Sequence, residues 1–212
     1  MRDFPVFTTE YGVASLVLKE VPYQSTAYII LRDSLEPEKL LAECVDFCRV
    51  CGAEEIYATG DEILEGYPFY TAMVEMRCMR AAIPDTDAAL WPVQEGTLEE
   101  WRDIYNKKVR AVPNGAWMTL ADGKAMLEKG DGYFIHRGEN LLGIGRASGD
   151  CIDWVASLGP GAGRDVVCAL AHAVTAEMVC LTAASRNEKA VKLYEGLGFV
   201  RTKEISRWYR VK

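Results

Sequence analysis

The stretch GPGAG at residues 159–163 constrains the fold more than any other, because it stands between a strand pattern and a helix pattern. A glycine-rich turn in that place lets successive backbone amides converge, and the following helix adds partial positive charge at its start. Such a turn is either an anion site or a plain tight turn, and its flanks decide which. Upstream, DGYFIHRGENLLGIGRASGDCIDWVASLG alternates apolar and polar residues between the turn signals RGEN and SGD. This pattern predicts a meander of three strands near 131–137, 140–147 and 151–158. Downstream, Val166, Val167, Leu170, Ala173 and Val174 fall at helical spacing, and EMVCLTA is a short apolar strand. SRNEKAVKLYEGLGF is then a helix, with capping-box spacing from Ser185 to Glu188 and Gly198 suited to a left-handed ending. TKEISRWYRV closes the series as a strand. A dinucleotide-binding fold fits poorly, since its turn follows a strand of a parallel crossover and this one follows a meander.

Before the meander, LWPVQEG reads as a strand and TLEEWRDIYNKKVRAV as a helix opened by Thr97, with Glu100 three residues on. Leu98, Trp101, Ile104, Tyr105 and Val109 form its apolar stripe, and TLADGKAMLEKG is a second, shorter helix closed by Gly130. The segment 81–92 carries two prolines among short polar residues and is the best linker candidate, which puts a domain boundary at 84/85. Residues 1–84 echo part of the second half. VASL occurs at 13–16 and again at 155–158, and 44–60 parallels 167–183 as a helix leading through Ala-Glu into an apolar strand. The shared order of strand, helix and strand points to a duplication. The first copy lacks both the glycine-rich turn and any counterpart of NEKAVKLYEGLGF.

The 212 residues are half hydrophobic and about a quarter charged, the composition of a globular protein with a sizeable core. A net charge of −7 with no clustered Lys and Arg speaks against nucleic acid. No stretch approaches the ~20 apolar residues of a membrane span. The start, MRDFPVFTTEYGV, has no signal architecture, and the expected location is cytoplasmic. Of seven cysteines, Cys44, Cys48 and Cys51 share one helix face. They read as small buried hydrophobes in a reducing compartment rather than as a metal site, for which no second cysteine and histidine cluster exists.

The combination of strand, G-x-G-x-G turn, helix, strand and N-x-x-A-x-x-L-Y-x-x-L-G-F resembles the GNAT superfamily of acyl-CoA-dependent N-acetyltransferases. Asn187, Ala190, Leu193, Tyr194, Leu197, Gly198 and Phe199 carry the strongest motif, and the likeness spans about 88–212. The resemblance implies an α/β GNAT fold: a mixed, mostly antiparallel sheet flanked by helices, in 85–212, beside a degenerate partial copy in 1–84. It implies acetyl-CoA as cosubstrate, with the pyrophosphate on the amides of Gly161, Ala162, Gly163, Arg164 and Asp165. It lays the pantetheine arm along Val155, Ala156 and Ser157, beside Asn187, with no metal. It puts Tyr194, an ordinary core aromatic on helix pattern alone, near the sulfur as the acid for the departing thiolate. The implied reaction is direct acetyl transfer to a primary amine of a small molecule, amino acid or peptide.

Two positions depart from the family pattern. Leu158 stands where Arg or Gln is usual, and Pro160 puts a residue without an N–H inside the turn. These favour the alternative, a non-catalytic acyl-CoA-binding or structural tandem module. Asp153, alternating with Ile152 and Trp154 on the strand bordering the cleft, is the first candidate for general base, and His136 is the other. His172, Trp101, Trp117, Trp208 and Tyr209 read as structural residues or cleft walls. Neither a nucleic-acid nor a membrane partner is expected, and self-association into a homodimer is left open.

Overall fold

The apolar alternation of the chain resolves into eleven strands and six helices among residues 5–212, the part that this computed structural model describes. In order these are β1 (Val6–Thr9), β2 (Gly12–Val17), α1 (Val21–Gln24), β3 (Thr26–Ser34), α2 (Pro37–Val50), β4 (Glu55–Thr59) and β5 (Phe69–Met79). Then follow β6 (Ala89–Pro92), α3 (Leu98–Val109), α4 (Leu120–Lys129), β7 (Gly132–Arg137), β8 (Asn140–Ser148) and β9 (Cys151–Ser157). The series ends with α5 (Gly163–Ala173), β10 (Met178–Ala184), α6 (Glu188–Gly196) and β11 (Val200–Arg210). Among the described residues no helix is long and apolar enough to cross a membrane.

The chain divides into two compact units. One comprises the chain up to Met73 with Glu204–Lys212, and the other is Val74–Lys203. The division therefore falls at 73/74 and 203/204, not at 84/85. The physical reason lies in the supposed linker, which is tied down inside the second unit. Ile83 is buried, Thr86 donates to Asp165, Asp87 pairs with Arg137, and β6 pairs with β7.

In the first unit the strand order is β1-β2-β3-β4-β11-β5. α2 lays Leu40, Leu41, Cys44 and Cys48 on a core that includes Ala14, Leu16, Ala27, Ile29, Ile56 and Ala58. Burial pushes the thiols of Cys44 and Cys48 up to about 12, so both behave as apolar fillers. β3 and β4 are parallel, joined by α2, just as β9 and β10 are parallel, joined by α5. The duplication therefore equates β3 with β9 and β4 with β10. The matching VASL segments lie on β2 and β9, one strand out of correspondence, and do not mark it.

In the second unit the order is β11-β5-β10-β9-β8-β7-β6, mixed and mostly antiparallel. α3 buries Leu98, Trp101, Tyr105 and Val109, and Ile104 of its predicted stripe is half-buried. Thr97 does not form the expected box with Glu100. Its hydroxyl donates to Gln94 O and accepts from Gln94 N–H, closing a short 3-10 turn ahead of the helix. α5 packs on β8 where Gly143 and Gly145 leave room. A Cβ on Gly145 would stand 2.3 Å from Leu170 Cδ1, and one on Gly143 would stand 2.7 Å from Val166 Cγ2.

Candidate functional site

β9 is the strand around which the site is built. On one side it pairs with β8 as far as Gly143–Ser157. On the other its ladder with β10 consists of Cys151–Cys180 and Ile152–Leu181 alone, although β9 continues to Ser157 and β10 to Ala184. The two parallel strands thus part after two pairs. Asp153 to Ser157 border an opening whose far end is the glycine turn.

In that turn Gly161 adopts φ +80, and Val166 is the first residue of α5 to bond back along the helix, to Ala162 O. The amides of Gly163, Arg164 and Asp165 precede that bond, in the first turn where a helix has donors to spare. A Cβ on Gly159 or Gly161 would meet no protein atom within 4 Å, so the space over the turn is open. Two of the expected holders are differently engaged. Ala162 is buried and its N–H donates to Gly159 O at 3.3 Å, so this amide faces the turn's interior. The Asp165 carboxylate accepts from Thr86 Oγ1 at 3.1 Å and pairs with Arg137 at 2.9 Å, and Arg137 also holds Asp87 at 2.7 Å. That tie steers a negative charge at the start of α5 towards Arg137. Arg164 is exposed, and Leu158 N–H is committed to Leu142 O.

The second motif meets the turn. A Cβ on Gly163 would stand 3.0 Å from Leu193 Cδ2 and 3.9 Å from Ser157 Oγ, so the end of β9, the start of α5 and α6 converge there. Tyr194, next to Leu193, is only 7% exposed. Among the described residues its hydroxyl has no hydrogen-bond partner. Burial raises the phenol to about 12, which keeps it protonated throughout the neutral range. α6 is capped by Asn187, whose side-chain oxygen accepts from Ala190 N–H at 3.4 Å, in place of the expected box from Ser185. With the oxygen so used, the Asn187 amide nitrogen remains as a donor.

Asp153 is the first residue beyond the last β9–β10 pair. It lies where the β8–β9 register slips, Arg146 opposing Trp154 and Ala147 opposing Ile152, so simple alternation does not set its direction. It is exposed and accepts from Ser148 Oγ at 2.8 Å. His136 lies on β7, separated from β9 by β8, with its ring against Trp91 and Phe134. It does not reach the opening. Trp154 packs on Tyr105 of α3 at 4.3 Å between ring centroids, walling the other face of β9.

Two features escaped the sequence reading. Arg137 gives no local signal, because its partners are 50 and 28 residues away, at Asp87 and Asp165. Cys151 and Cys180 are joined by a disulfide. Cys151 opens β9 and Cys180 is the third residue of β10, and the parallel register of these strands sets the two opposite each other.

No family model matches the chain, and no curated protein sequence is detectably similar. Solved structures do match. A conserved protein of unknown function from Staphylococcus epidermidis superposes with a TM-score of 0.63 at 13% identity, over 98% of this chain and 93% of its own. A GCN5-related N-acetyltransferase from Sphaerobacter thermophilus gives 0.55 at 12% identity, over 93% and 75%. A tandem GNAT protein from the clavulanic acid biosynthesis pathway gives 0.52 at 13% identity, over 94% and 78%. The chain has the GNAT fold.

Proposed function

We propose that the second unit binds an acyl-coenzyme A, acetyl-CoA in the first instance, and transfers the acyl group to a primary amine. The observation that carries this is the parting of β9 and β10 after Ile152–Leu181, in a fold shared with N-acetyltransferases. An extended chain carrying amide groups fits such an opening by adding to the edge of β9 at Val155, Ala156 and Ser157. Its anionic end fits the amides of Gly161, Gly163, Arg164 and Asp165 over the open turn. The coenzyme, when bound, supplies the activated acyl group. Asn187 offers its amide nitrogen beside the arm. Tyr194 holds the proton that a departing thiolate needs, and an unpartnered hydroxyl costs nothing to redirect. Asp153, just beyond the last β9–β10 pair, takes a proton from the incoming ammonium. The acceptor is a small-molecule amine or amino acid.

A second reading, acyl-CoA binding without turnover, draws on Pro160 and the inward Ala162 amide, which leave the cradle two donors short. Coenzyme A release, followed with a thiol reagent across a panel of amines and amino acids, separates the two. Turnover that falls in Tyr194→Phe supports the transferase. Tight acetyl-CoA binding with no turnover on any acceptor would establish the second reading.

A further inference from the structure

The Cys151–Cys180 bond stands at the vertex of the opening. The two residues are direct register partners, 4.5 Å apart at Cα, and one pair later the ladder ends. Apart from Cys180 N–H donating to Asp150 O at 2.7 Å, β9 and β10 are held at this end by two ladder pairs. Each net backbone hydrogen bond contributes only about 1 kcal/mol. A covalent link placed there fixes where the strands begin to part, and hence the width available to a chain lying along β9. The other five cysteines are unbonded, and Cys44, Cys48, Cys78 and Cys168 are buried where no reagent arrives. The bonded pair differs in this respect. Cys180 is 5% exposed, but Cys151 is half-buried and accessible to a small thiol. In the reducing interior that the sequence suggests, such a bond is made and broken rather than permanent.

We infer that Cys151 and Cys180 form a redox-active pair that sets the coenzyme opening: the bonded form binds acyl-CoA tightly, and reduction by a low-molecular-weight thiol slackens the vertex and weakens binding. The inference rests on the acyl-CoA reading above. In the chemical step a glutathione thiolate attacks Cys151 Sγ, the S–S bond breaks, and its electron pair leaves on Cys180 Sγ, which takes a proton from water. A second glutathione thiolate attacks the glutathione sulfur of the mixed disulfide and releases oxidised glutathione, leaving Cys151 as the thiol. Two glutathiones lose two electrons and the protein disulfide gains them. Linkage makes the effect reciprocal: whatever factor separates the acetyl-CoA affinities of the two forms also separates the reduction equilibria with and without acetyl-CoA.

The test equilibrates the full chain in glutathione buffers of graded poise, reads Cys151 and Cys180 by alkylation and mass spectrometry, and titrates acetyl-CoA into each form by calorimetry. The expected result is about tenfold tighter binding to the bonded form. Saturating acetyl-CoA should then move the midpoint of reduction about 30 mV more negative, the equivalent of tenfold for a two-electron couple. Cys151→Ser and Cys180→Ser should bind like the reduced protein at every poise. Because the main comparison uses unmodified protein, misfolding of a variant does not affect it. Equal affinity of the two forms, or a pair that never bonds at any poise, overturns the inference and leaves the transferase reading standing. Failure of both forms to bind acetyl-CoA overturns both.

Discussion

Replacing Gly161 by alanine tests the coenzyme cradle with little disturbance of the fold. Gly161 has φ +80, and a Cβ built on it meets no protein atom within 4 Å. The cost to the ligand-free protein is therefore a left-handed backbone on an L residue, about 1 kcal/mol. For a chain of this size that is a fall of roughly 2–4 °C in Tm. The new methyl group stands in the space proposed for phosphate oxygens. Losing one charge-assisted hydrogen bond from a backbone amide costs roughly 1.5–3 kcal/mol, about ten- to hundredfold in Kd. Gly159→Ala is the companion variant, since that site is equally open and its φ is not left-handed, so its Tm should hold within a degree or two. Gly143→Ala is the converse. Its Cβ would sit 2.4 Å from Ala156 O and 2.7 Å from Val166 Cγ2, so it should lose roughly 1–3 kcal/mol through overpacking before any ligand is added. Thermal unfolding without ligand gives the first term for each variant, and calorimetric titration with acetyl-CoA gives the second. If Gly161→Ala loses the expected few degrees yet binds acetyl-CoA within twofold of wild type, the phosphates do not lie over this turn.

Tyr194→Phe should lower kcat by about a hundredfold or more, the scale of general acid catalysis, with KM for acetyl-CoA within twofold and Tm little changed. The phenol is raised from 10.0 to about 12 by burial, so its contribution to stability is complete below pH 10 and lost as pH rises through 12. Relative to the Phe variant, wild type should lose roughly 3 kcal/mol across that window. A constant difference between the two denaturation curves from pH 9 to 12 would refute the burial argument. Arg137→Gln should move Tm little, because the guanidinium is 45% exposed and such pairs contribute at most about 1 kcal/mol. It should still weaken acetyl-CoA binding several-fold by releasing the Asp165 carboxylate towards the cradle. The deficit should shrink as salt is raised to 0.5 M, and an affinity equal to wild type at low salt would remove Arg137 from the site.

The local signals in this sequence were truthful about elements and silent about partners. The meander strands and β10 stand within one residue of their predicted limits and α5 and α6 within three, because each has its own periodicity and stop signal. β5 did not stand out. FYTAMVEMRCM alternates from Ala72 to Cys78, with Val74, Met76 and Cys78 buried and Glu75 and Arg77 paired with each other on the other face. Thr71 and Ala72, however, are both buried and break the alternation at its start. Asp153 shows the same limit at a single residue. Its type and strand were legible, but the register slip that exposes it depends on how β8 pairs with β9. The disulfide, the Arg137 tie and the one-strand offset of the repeat are all facts of pairing across long sequence separation, which composition and spacing do not encode.

The two strand–helix–strand copies explain why one is a candidate site and the other is scaffold. In the first unit the β3–β4 ladder runs from Thr26–Glu55 to Ile30–Thr59, the full length of β4, so the strands never part. The turn into α2 has no glycine. The N–H groups of Leu35 and Glu36 both donate to Tyr11 O, at 2.8 and 3.2 Å, and Pro37 has none to give. Glu36 and Glu38 then put negative charge where an anion would sit. In the second unit the ladder ends after two pairs, and the first-turn amides of α5 precede the helix's own bonding. The topology is common to both copies, so it cannot be what confers binding. What differs is whether backbone donors are satisfied within the fold or left over for a ligand. A glycine placed after β3 would therefore not by itself create a second site, because Tyr11 would still hold the amides and β4 would still close the cleft.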